Sequence, residues 1–458
     1  NMADAAPLLP LQKGMLFETL MDSASGNYNA FTRLHLEGEV DSSRLQCALN
    51  ALLVRYPQLA GAFDHERLDE PVLVIPSMAH LKLCRWPLSE HDLSAYDMQS
   101  QPEALAQLEQ ELLLRHYPTD RFHGMIHAAL VKLSHRSDQA PSKFELILIV
   151  HHLLIDGWST PLLLKDLLSA YQAQTPRLTP QTIGYKEVVS RLYLRDQHTS
   201  LVRWQAAVSG IRPCVLFEQK QDAVSEVEFH LSADLSQRLT STLRQQGLTL
   251  NVRMQAVWAL MLQSLSGRED IVFGTPVSGR SADIVGICEQ IGLFLNTLPT
   301  RVQLDSTRSL WSQLPAMQQQ HIELLEHDTL GLAEIQRLCG GQTLFDTLLV
   351  VENYPDNAYL DVELIGQDGR SLKVRDIQNR GYSHYPLALL VIPGEQLSFL
   401  IENRGALSKI QEQALMQRLQ STLELALEDP DRPLCHYPLL STSESHQLAE
   451  MNNTYQPV

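Results

Sequence analysis

The sequence predicts an α/β protein with two lobes. The chain has 458 residues, which is too many for a single hydrophobic core, so two or more lobes are expected. Hydrophobic residues make up 44% of the chain and recur with both strand and helix periodicity. The second half repeats the mixture of the first, which indicates a duplicated architecture, although no exact sequence repeat is visible.

The N-terminal lobe is predicted over residues 1–175. PLLPLQKGMLFETLMD predicts a loop that runs into a helix, and PEALAQLEQELLLRHYP is an amphipathic helix. In DSSRLQCALNALLVRYP, leucines recur at helical spacing, Asp41 or Ser42 can cap the helix, and Pro57 follows its end. VLVI (72–75), IHAALVKL and FELILIV are predicted strands. The polar, proline-bearing residues near 172–182 predict a linker between the lobes.

The C-terminal lobe is predicted over residues 176–438. Its predicted strands are VEFHLS, DIVFGTPV, LFDTLLVVENYP and YPLALLVI. Its predicted helices are SQRLTSTLRQQG, NVRMQAVWALMLQSLSG and KIQEQALMQRLQSTLELALED. Residues 439–458 form a polar tail.

The charge balance argues against two classes of partner. Lys and Arg number 36 and Asp and Glu number 53, which gives a net charge of −17. The chain has no basic run and no basic stripe interleaved with aromatic residues. Nucleic acids and anionic membranes are therefore poor partners.

The cysteines indicate a reducing compartment. All six lie far apart, without a CxxC pair or a ligand-like spacing with histidine. A disulfide framework or a zinc site is therefore not expected. No apolar stretch approaches the roughly 18 residues that span a bilayer, and no signal peptide opens the chain, so a cytoplasmic protein is expected.

The stretch ELILIVHHLLIDGWSTPLLL places His151, His152 and Asp156 at the end of an apolar strand. The following Ser-Thr-Pro predicts a helix start. Strand ends in α/β proteins commonly present chemical groups. A neutral imidazole there can accept a proton near pH 7, whereas a buried carboxylate needs a cation or several N–H donors.

The His-x-x-x-Asp spacing alone is weak evidence for a site. It also begins at His65 and at His116, with no strand before and no glycine after, and these are interpreted as solvated loop positions. A histidine satisfied inside the core is the alternative interpretation of His151 and His152. The doubled histidine, the Asp-Gly, the apolar strand and the capped helix together favour a functional site.

HHLLIDGWS resembles the HHxxxDG active-site motif of the condensation domains of nonribosomal peptide synthetases, which are similar to chloramphenicol acetyltransferase. Other stretches resemble further motifs of this family in the same order: PLLPLQKGMLF, RYPQLAGAF, DIVFGTPVSGR, IGLFLNTLPTRV, EHDTLGLAEIQ, LFDTLLVVENYP and SHYPLALLV. MNNTYQPV resembles the linker that leads into an adenylation domain, so residues 439–458 are predicted to begin such a linker. These motifs cover nearly the whole chain.

The resemblance implies two acetyltransferase-like lobes in a V-shaped pseudo-dimer, with the histidine motif at their junction. A tunnel there admits the phosphopantetheine arms of a donor and an acceptor carrier domain. The acceptor's α-amine attacks the donor's thioester and forms a peptide bond. Neither a bound cofactor nor a metal is expected, because the substrates arrive on their carriers.

The resemblance also implies roles for individual residues. His152 matches the catalytic histidine, which accepts or orients the amine proton or stabilises the charged tetrahedral species. Gly157 lets the backbone approach the thioester, and its N–H can act as an oxyanion donor. His151 is expected to pack or hydrogen-bond behind the loop. Trp158 and Ser159 are expected to border the tunnel, with helix capping as the alternative for Ser159.

Asp156 matches a structural aspartate that holds the loop through a salt bridge. The family's second motif usually supplies an arginine for this bridge, but the sequence here is Leu59-Ala60. Either Arg280 or Arg55 replaces that arginine, or the loop is braced differently.

Three other functions compete with condensation. An epimerization domain would carry Asp-Gly-x-Ser-Trp and a motif like EGHGR, but here the order is DGWS and no such motif appears. A free-standing acyltransferase that uses coenzyme A is disfavoured by the adenylation-type linker. A non-catalytic recruitment domain that docks a tailoring enzyme is disfavoured by the intact histidine motif.

The subtype and the partners are predicted from the same motifs. LQKGMLF in place of an SxxQxRLW-like opening, together with IDGWSTPLLL, EHDTLGLAEIQ, VVENYP and SHYPL, resembles domains that join a D-configured donor to an L-configured acceptor. This subtype implies an upstream epimerization activity or an external D-residue. The linker implies a downstream adenylation domain.

Overall fold

The computed structural model describes residues 2–21, 28–66, 69–97, 99–133, 141–173, 178–179, 181, 183–217, 224–280, 283–352, 363–365, 371–380 and 385–438. The predicted linker at residues 439–458 lies outside the described residues. So do residues 353–355 of VVENYP and most of the predicted linker near 172–182.

The strands follow the chain in this order: β1 (Met2–Pro7), β2 (Asn29–Gly38), β3 (Ala62–Asp64), β4 (Val72–Pro76), β5 (Leu88–Asp92), β6 (Ile126–Leu133), β7 (Lys143–His151), β8 (Ser225–His230), β9 (Asp270–Val277), β10 (Asn296–Gln303), β11 (Thr347–Val351), β12 (Glu363–Ile365), β13 (Ser371–Arg380), β14 (Leu387–Ile392) and β15 (Ser398–Asn403).

The helices follow the chain in this order: α1 (Pro10–Met21), α2 (Ser42–Arg55), α3 (Met78–Leu81), α4 (Gln101–Leu114), α5 (Ser159–Gln172), α6 (Tyr185–Tyr193), α7 (Gln197–Ala207), α8 (Ala233–Gln246), α9 (Leu250–Ser266), α10 (Leu310–Leu325), α11 (Leu332–Leu338) and α12 (Lys409–Glu428). Within the described part of the chain, no helix combines the length and the apolar character that crossing a bilayer requires.

The chain divides into two compact units. Unit 1 comprises Asn1–Arg195, Ser278–Leu295 and Tyr354–Tyr382, and unit 2 comprises the remainder. Unit 1 therefore takes two segments from the second half of the sequence. The lobe boundaries expected from the sequence, at residues 175/176 and 438/439, stay a prediction.

Unit 1 contains a six-stranded sheet in the order β12-β13-β2-β7-β6-β5 and a smaller sheet in the order β1-β4-β3. β7 pairs antiparallel with both β2 and β6. Alternate side chains of β7 enter two different cores: Leu146, Leu148 and Val150 join the larger one, and Ile147 and Ile149 join a smaller one beneath α4. Burial on both faces explains why residues 146–150 of this strand form an unbroken apolar run.

Unit 2 contains a six-stranded sheet in the order β10-β9-β11-β14-β15-β8. β11 runs parallel to β9 and β14, and the other pairs are antiparallel. Its core includes most of α9, which is apolar around much of its circumference. A helix of this composition is stable only when it is covered on several sides.

The predicted elements are largely confirmed. The strands at VLVI, IHAALVKL and FELILIV correspond to β4, β6 and β7, and the predicted helix after Asp41 corresponds to α2. Asp41 is its cap, because its side chain accepts a hydrogen bond from the backbone N–H of Arg44. Eight strands were not predicted from sequence: β1, β2, β3, β5, β10, β12, β13 and β15.

Candidate active site

The loop after β7 carries the sequence-predicted site. β7 ends at His151 and α5 begins at Ser159, so the loop spans only seven residues. The last residue of β7 and the first residue of the loop are hydrogen-bonded to neighbouring chain segments. The backbone N–H of His151 donates to the Met125 carbonyl at 2.9 Å, and that of His152 donates to the Tyr28 carbonyl at 2.7 Å. The loop therefore begins at a fixed position.

His152 has one ring nitrogen engaged and one free. Its Nδ1 lies 3.4 Å from the carbonyl oxygen of Ile155. A carbonyl only accepts hydrogen bonds, so Nδ1 carries the proton and Nε2 keeps its lone pair. Nε2 is buried and has no hydrogen-bond partner among the described residues. Burial lowers the pKa of His152 below its ordinary value, so the ring is neutral at pH 7.

His151 faces the interior instead. Its Nδ1 accepts a hydrogen bond from the backbone N–H of Leu153 at 3.2 Å. Its ring lies beside that of Tyr28, with 6.4 Å between the ring centroids. Burial, followed by the neighbouring His152, lowers the pKa of His151 to about 3. His151 is thus a neutral buried ring that shapes the start of the loop.

Asp156 is buried, and both of its carboxylate oxygens are fully hydrogen-bonded. Oδ1 accepts from the Ser159 backbone N–H at 3.0 Å, the Ser159 hydroxyl at 2.7 Å and Arg280 Nη2 at 3.0 Å. Oδ2 accepts from Arg280 Nη1 at 2.7 Å and from the backbone N–H groups of Phe294 and Leu295 at 3.0 and 3.2 Å. Such extensive bonding is what a buried carboxylate requires.

Arg280 is the cation of this pair, and its side chain is 1% exposed, against 2% for Asp156. Its guanidinium also donates to the Ser159 hydroxyl at 2.9 Å and lies over the Phe294 ring, 4.8 Å from its centroid. The bidentate geometry is the strongest form of this pair. The other candidate, Arg55, pairs with Asp166 at 2.7 Å.

Ser159 adds a third member to the pair. Its hydroxyl donates to Asp156 and accepts from the backbone N–H of Gly292 at 3.0 Å. The predicted start of α5 is confirmed, but Ser159 is the first helical residue and not the cap. The backbone N–H of Ser159 is instead satisfied by the carboxylate of Asp156, which stands three residues earlier.

Two glycines allow close packing within the segment 278–295 and against Tyr185. Gly279 has φ +63°, and a Cβ there would lie 1.8 Å from the carbonyl oxygen of Phe294. A Cβ on Gly292 would lie 2.6 Å from the ring of Phe294 and 2.8 Å from that of Tyr185. Any side chain at either position would push apart the groups that surround Arg280.

Gln12 braces the other side of the loop. Its side-chain amide donates to the Leu153 carbonyl at 3.0 Å and to the Tyr185 hydroxyl at 3.2 Å, and its oxygen accepts from the Leu9 backbone N–H at 3.0 Å. Burial raises the pKa of Tyr185 to about 12, so its hydroxyl stays protonated. Gln12 belongs to the PLLPLQKG stretch, which therefore has a direct structural link to the histidine loop.

The family model described as a condensation domain matches residues 2–449. The chain belongs to this family. It is 41% identical over 457 residues to vanchrobactin synthetase VabF of Vibrio anguillarum, an alignment that covers 99% of this chain and 16% of that synthetase. This condensation domain thus spans a small part of the relative that it matches.

Solved structures have the same fold. The first condensation domain of the calcium-dependent antibiotic synthetase, in complex with a substrate analogue, matches with a TM-score of 0.74 at 19% identity, over 96% of this chain and 100% of that chain. The X-domain from teicoplanin biosynthesis matches with a TM-score of 0.78 at 18% identity, over 96% and 99%. The predicted α/β fold, similar to chloramphenicol acetyltransferase, is confirmed.

Family membership establishes the reaction class. Condensation domains of nonribosomal peptide synthetases form amide bonds, using substrates that carrier domains hold on phosphopantetheine arms. Peptide-bond formation in nonribosomal peptide synthesis is therefore the activity of this family.

The structure also places Trp158 and Gly157, the two other residues of the loop for which the sequence predicted a role. Trp158 donates its indole N–H to the Cys288 carbonyl at 3.0 Å and lies beside Arg280. Gly157 is not among the glycines with positive φ, so its place in the loop requires no left-handed backbone. The tunnel-lining role of Trp158 and Ser159 and the oxyanion role of Gly157 stay predictions.

Sequence reasoning missed the backbone donors of residues 292–295 and the bridging hydroxyl of Ser159. The IGLFLN stretch resembles a family motif, but its backbone N–H donors have no sequence signature. The glycines at positions 279 and 292, on either side of Arg280, were the available sequence signal for this part of the site. Glycine often marks a position where the backbone is approached closely.

Removing one partner of the buried pair should destabilise this condensation domain. We expect Asp156→Asn and Arg280→Gln each to lower the free energy of unfolding by about 3–5 kcal/mol, because each leaves an uncompensated buried group. The double variant should lose less than the sum of the two. Urea denaturation measures all three losses.

The exposed ion pair of Lys13 and Glu70, at 38% and 59% side-chain exposure, supplies the matched control. Glu70→Gln should cost no more than about 1 kcal/mol. An Asp156→Asn variant as stable as the parent, or strictly additive losses in the double variant, would contradict this account of the loop.

Proposed function

We propose that this condensation domain joins the thioester of a donor carrier to the α-amine of an acceptor carrier, and that His152 handles the amine proton. The orientation of the His152 ring carries the proposal. Its Nδ1 faces the Ile155 carbonyl, so its Nε2 presents a lone pair with no partner among the described residues. That is the arrangement a general base needs.

The proposed reaction has two steps. The acceptor amine nitrogen attacks the donor carbonyl carbon, and its proton moves toward Nε2 of His152 as the C–N bond forms. The C–S bond then breaks, and the sulfur of the donor arm leaves as a thiol with that proton. The backbone N–H of Gly157 is proposed as a donor to the oxygen that carries negative charge between the steps.

The lowered pKa of His152 suits this role. A free α-amine has a pKa of about 7.7–8.0, so a useful share of the acceptor is already neutral at physiological pH. After attack, the nitrogen is positively charged and acidic, so a weak base is enough to take its proton. Burial keeps the ring neutral and ready to accept.

The proposal implies neighbouring domains. The aligned region covers 16% of vanchrobactin synthetase VabF, so that relative is far longer than this chain. We propose donor and acceptor carrier domains as partners, with an adenylation domain downstream. A recruitment role is disfavoured by the intact HHLLIDG motif. The fold alone does not exclude that role, because it is shared with the X-domain from teicoplanin biosynthesis, which has been solved in complex with OxyB.

Replacing His152 by alanine should slow peptide formation by about 10²-fold or more, because a positioned general base contributes about that much. The measurement is single-turnover condensation between a loaded donor carrier and a loaded acceptor carrier. The melting temperature should fall much less than in Asp156→Asn, since the His152 side chain has one hydrogen bond, between Nδ1 and the Ile155 carbonyl, among the described residues.

His116→Ala is the matched control, because His116 is exposed and also stands four residues before an aspartate. It should condense at the parental rate. A His152→Ala variant within a few-fold of the parent would remove His152 from the chemistry.

The proposed subtype is a D-configured donor with an L-configured acceptor, supported by the resemblance of LQKGMLF, IDGWSTPLLL and EHDTLGLAEIQ to that subclass. Chirality is selected by where the donor's side chain lies once its carbonyl is held beside His152. The subtype places an epimerization activity upstream, or requires an external D-residue.

The D-loaded donor should therefore condense faster than its L-enantiomer, by up to about 10²-fold, because a misplacement of about 1 Å can cost that much in rate. The assay loads the donor carrier with each enantiomer of one peptidyl group and uses one L-aminoacyl acceptor. Equal or faster turnover of the L-donor would refute the subtype and leave the condensation activity intact.

A further inference from the structure

A second cluster of chemically active side chains lies in unit 1, outside the histidine loop. One ligand-capable atom from each of His80, Cys84 and His123 lies within 4.8 Å of the others. His80 belongs to α3, and Cys84 lies four residues after His80, just beyond the end of that helix. His123 lies in the segment before β6. The described residues contain no other group of three His, Cys, Asp or Glu so arranged.

His123 shows two features that ordinary packing does not explain. Both of its ring nitrogens are buried without a hydrogen-bond partner among the described residues. Its backbone has φ 61°, and it is the one described non-glycine residue in the left-handed region. Conformations of this kind persist where the surroundings impose them, and they concentrate at functional sites.

We propose that His80, Cys84 and His123 bind one zinc ion. Two imidazole nitrogens and one thiolate are the donors that zinc prefers, and three protein ligands leave the fourth tetrahedral position for water. Ligand atoms bound to one zinc ion lie roughly 3.3–3.6 Å from one another. Side-chain rotations that move the ligand atoms by about 1 Å would therefore bring all three within bonding distance of one ion. The proposal departs from the expectation from sequence that no zinc site is present.

The bound zinc would join α3 to the segment that leads into β6. That segment contacts the end of β7, because the Met125 carbonyl accepts a hydrogen bond from the backbone N–H of His151 at 2.9 Å. It also contacts residue 60, because the backbone N–H of His123 donates to the Ala60 carbonyl at 3.2 Å. Zinc would therefore stabilise the segment before β6 that contacts His151. It would not contact the thioester or the amine.

The test uses the full chain and cobalt(II) as a spectroscopic probe for zinc. The parent should bind one equivalent and show a cobalt–thiolate charge-transfer band, which zinc should displace. Cys84→Ser and His123→Asn should abolish the band and weaken zinc binding by at least about 10- to 100-fold, since even residues that only support a ligand contribute that much. Asparagine is chosen because it tolerates positive φ.

Cys47→Ser is the control, because Cys47 is exposed and lies on α2. It should keep the band. Zinc should also raise the melting temperature of the parent and of Cys47→Ser, but not that of Cys84→Ser, because a ligand that binds only the folded state stabilises it. Circular dichroism checks that each variant folds, and His80→Gln replaces any variant that does not. An absent band in the parent, or undiminished zinc binding by Cys84→Ser, would overturn the proposal.

Discussion

The buried ion pair between Asp156 and Arg280 is the constraint on which the histidine loop depends. Both side chains are almost completely removed from solvent, so each charge requires the other. Asp156 also accepts hydrogen bonds from the backbone of Phe294 and Leu295, and Ser159 bridges the pair to Gly292. The pair therefore holds the segment 278–295 against the loop. A change in the position of the segment would shift the loop, and a change in the loop would shift the segment.

The two histidines have different roles because their surroundings differ. His151 is a neutral buried ring whose pKa is lowered to about 3, and it shapes the loop. His152 turns its Nδ1 toward the Ile155 carbonyl, one residue before Asp156, so its ring orientation depends on where the ion pair holds that residue. The chemistry proposed for His152 thus rests on an interaction in which His152 takes no direct part.

Much of the fold could be predicted from the sequence, because long periodic segments such as α2, β6 and β7 carry strong local signals. β2 was missed because its apolar residues are interrupted by Arg33 and His35, whose side chains pair with Glu109 and Glu145 of other elements. The histidine loop was located by its motif. The choice of Arg280 over Arg55 could not be made, because that pairing depends on how distant segments meet in three dimensions.

The most direct test of the central claim is the tautomer of His152, followed by NMR of nitrogen-15-labelled histidine and assigned by its absence in His152→Ala. The account predicts a proton on Nδ1 and a free lone pair on Nε2, retained as the pH falls through 6.5, because burial lowers the pKa below that ordinary value. In Arg280→Gln this preference should be lost. A proton on Nε2 in the parent, or an unchanged tautomer in Arg280→Gln, would contradict the account.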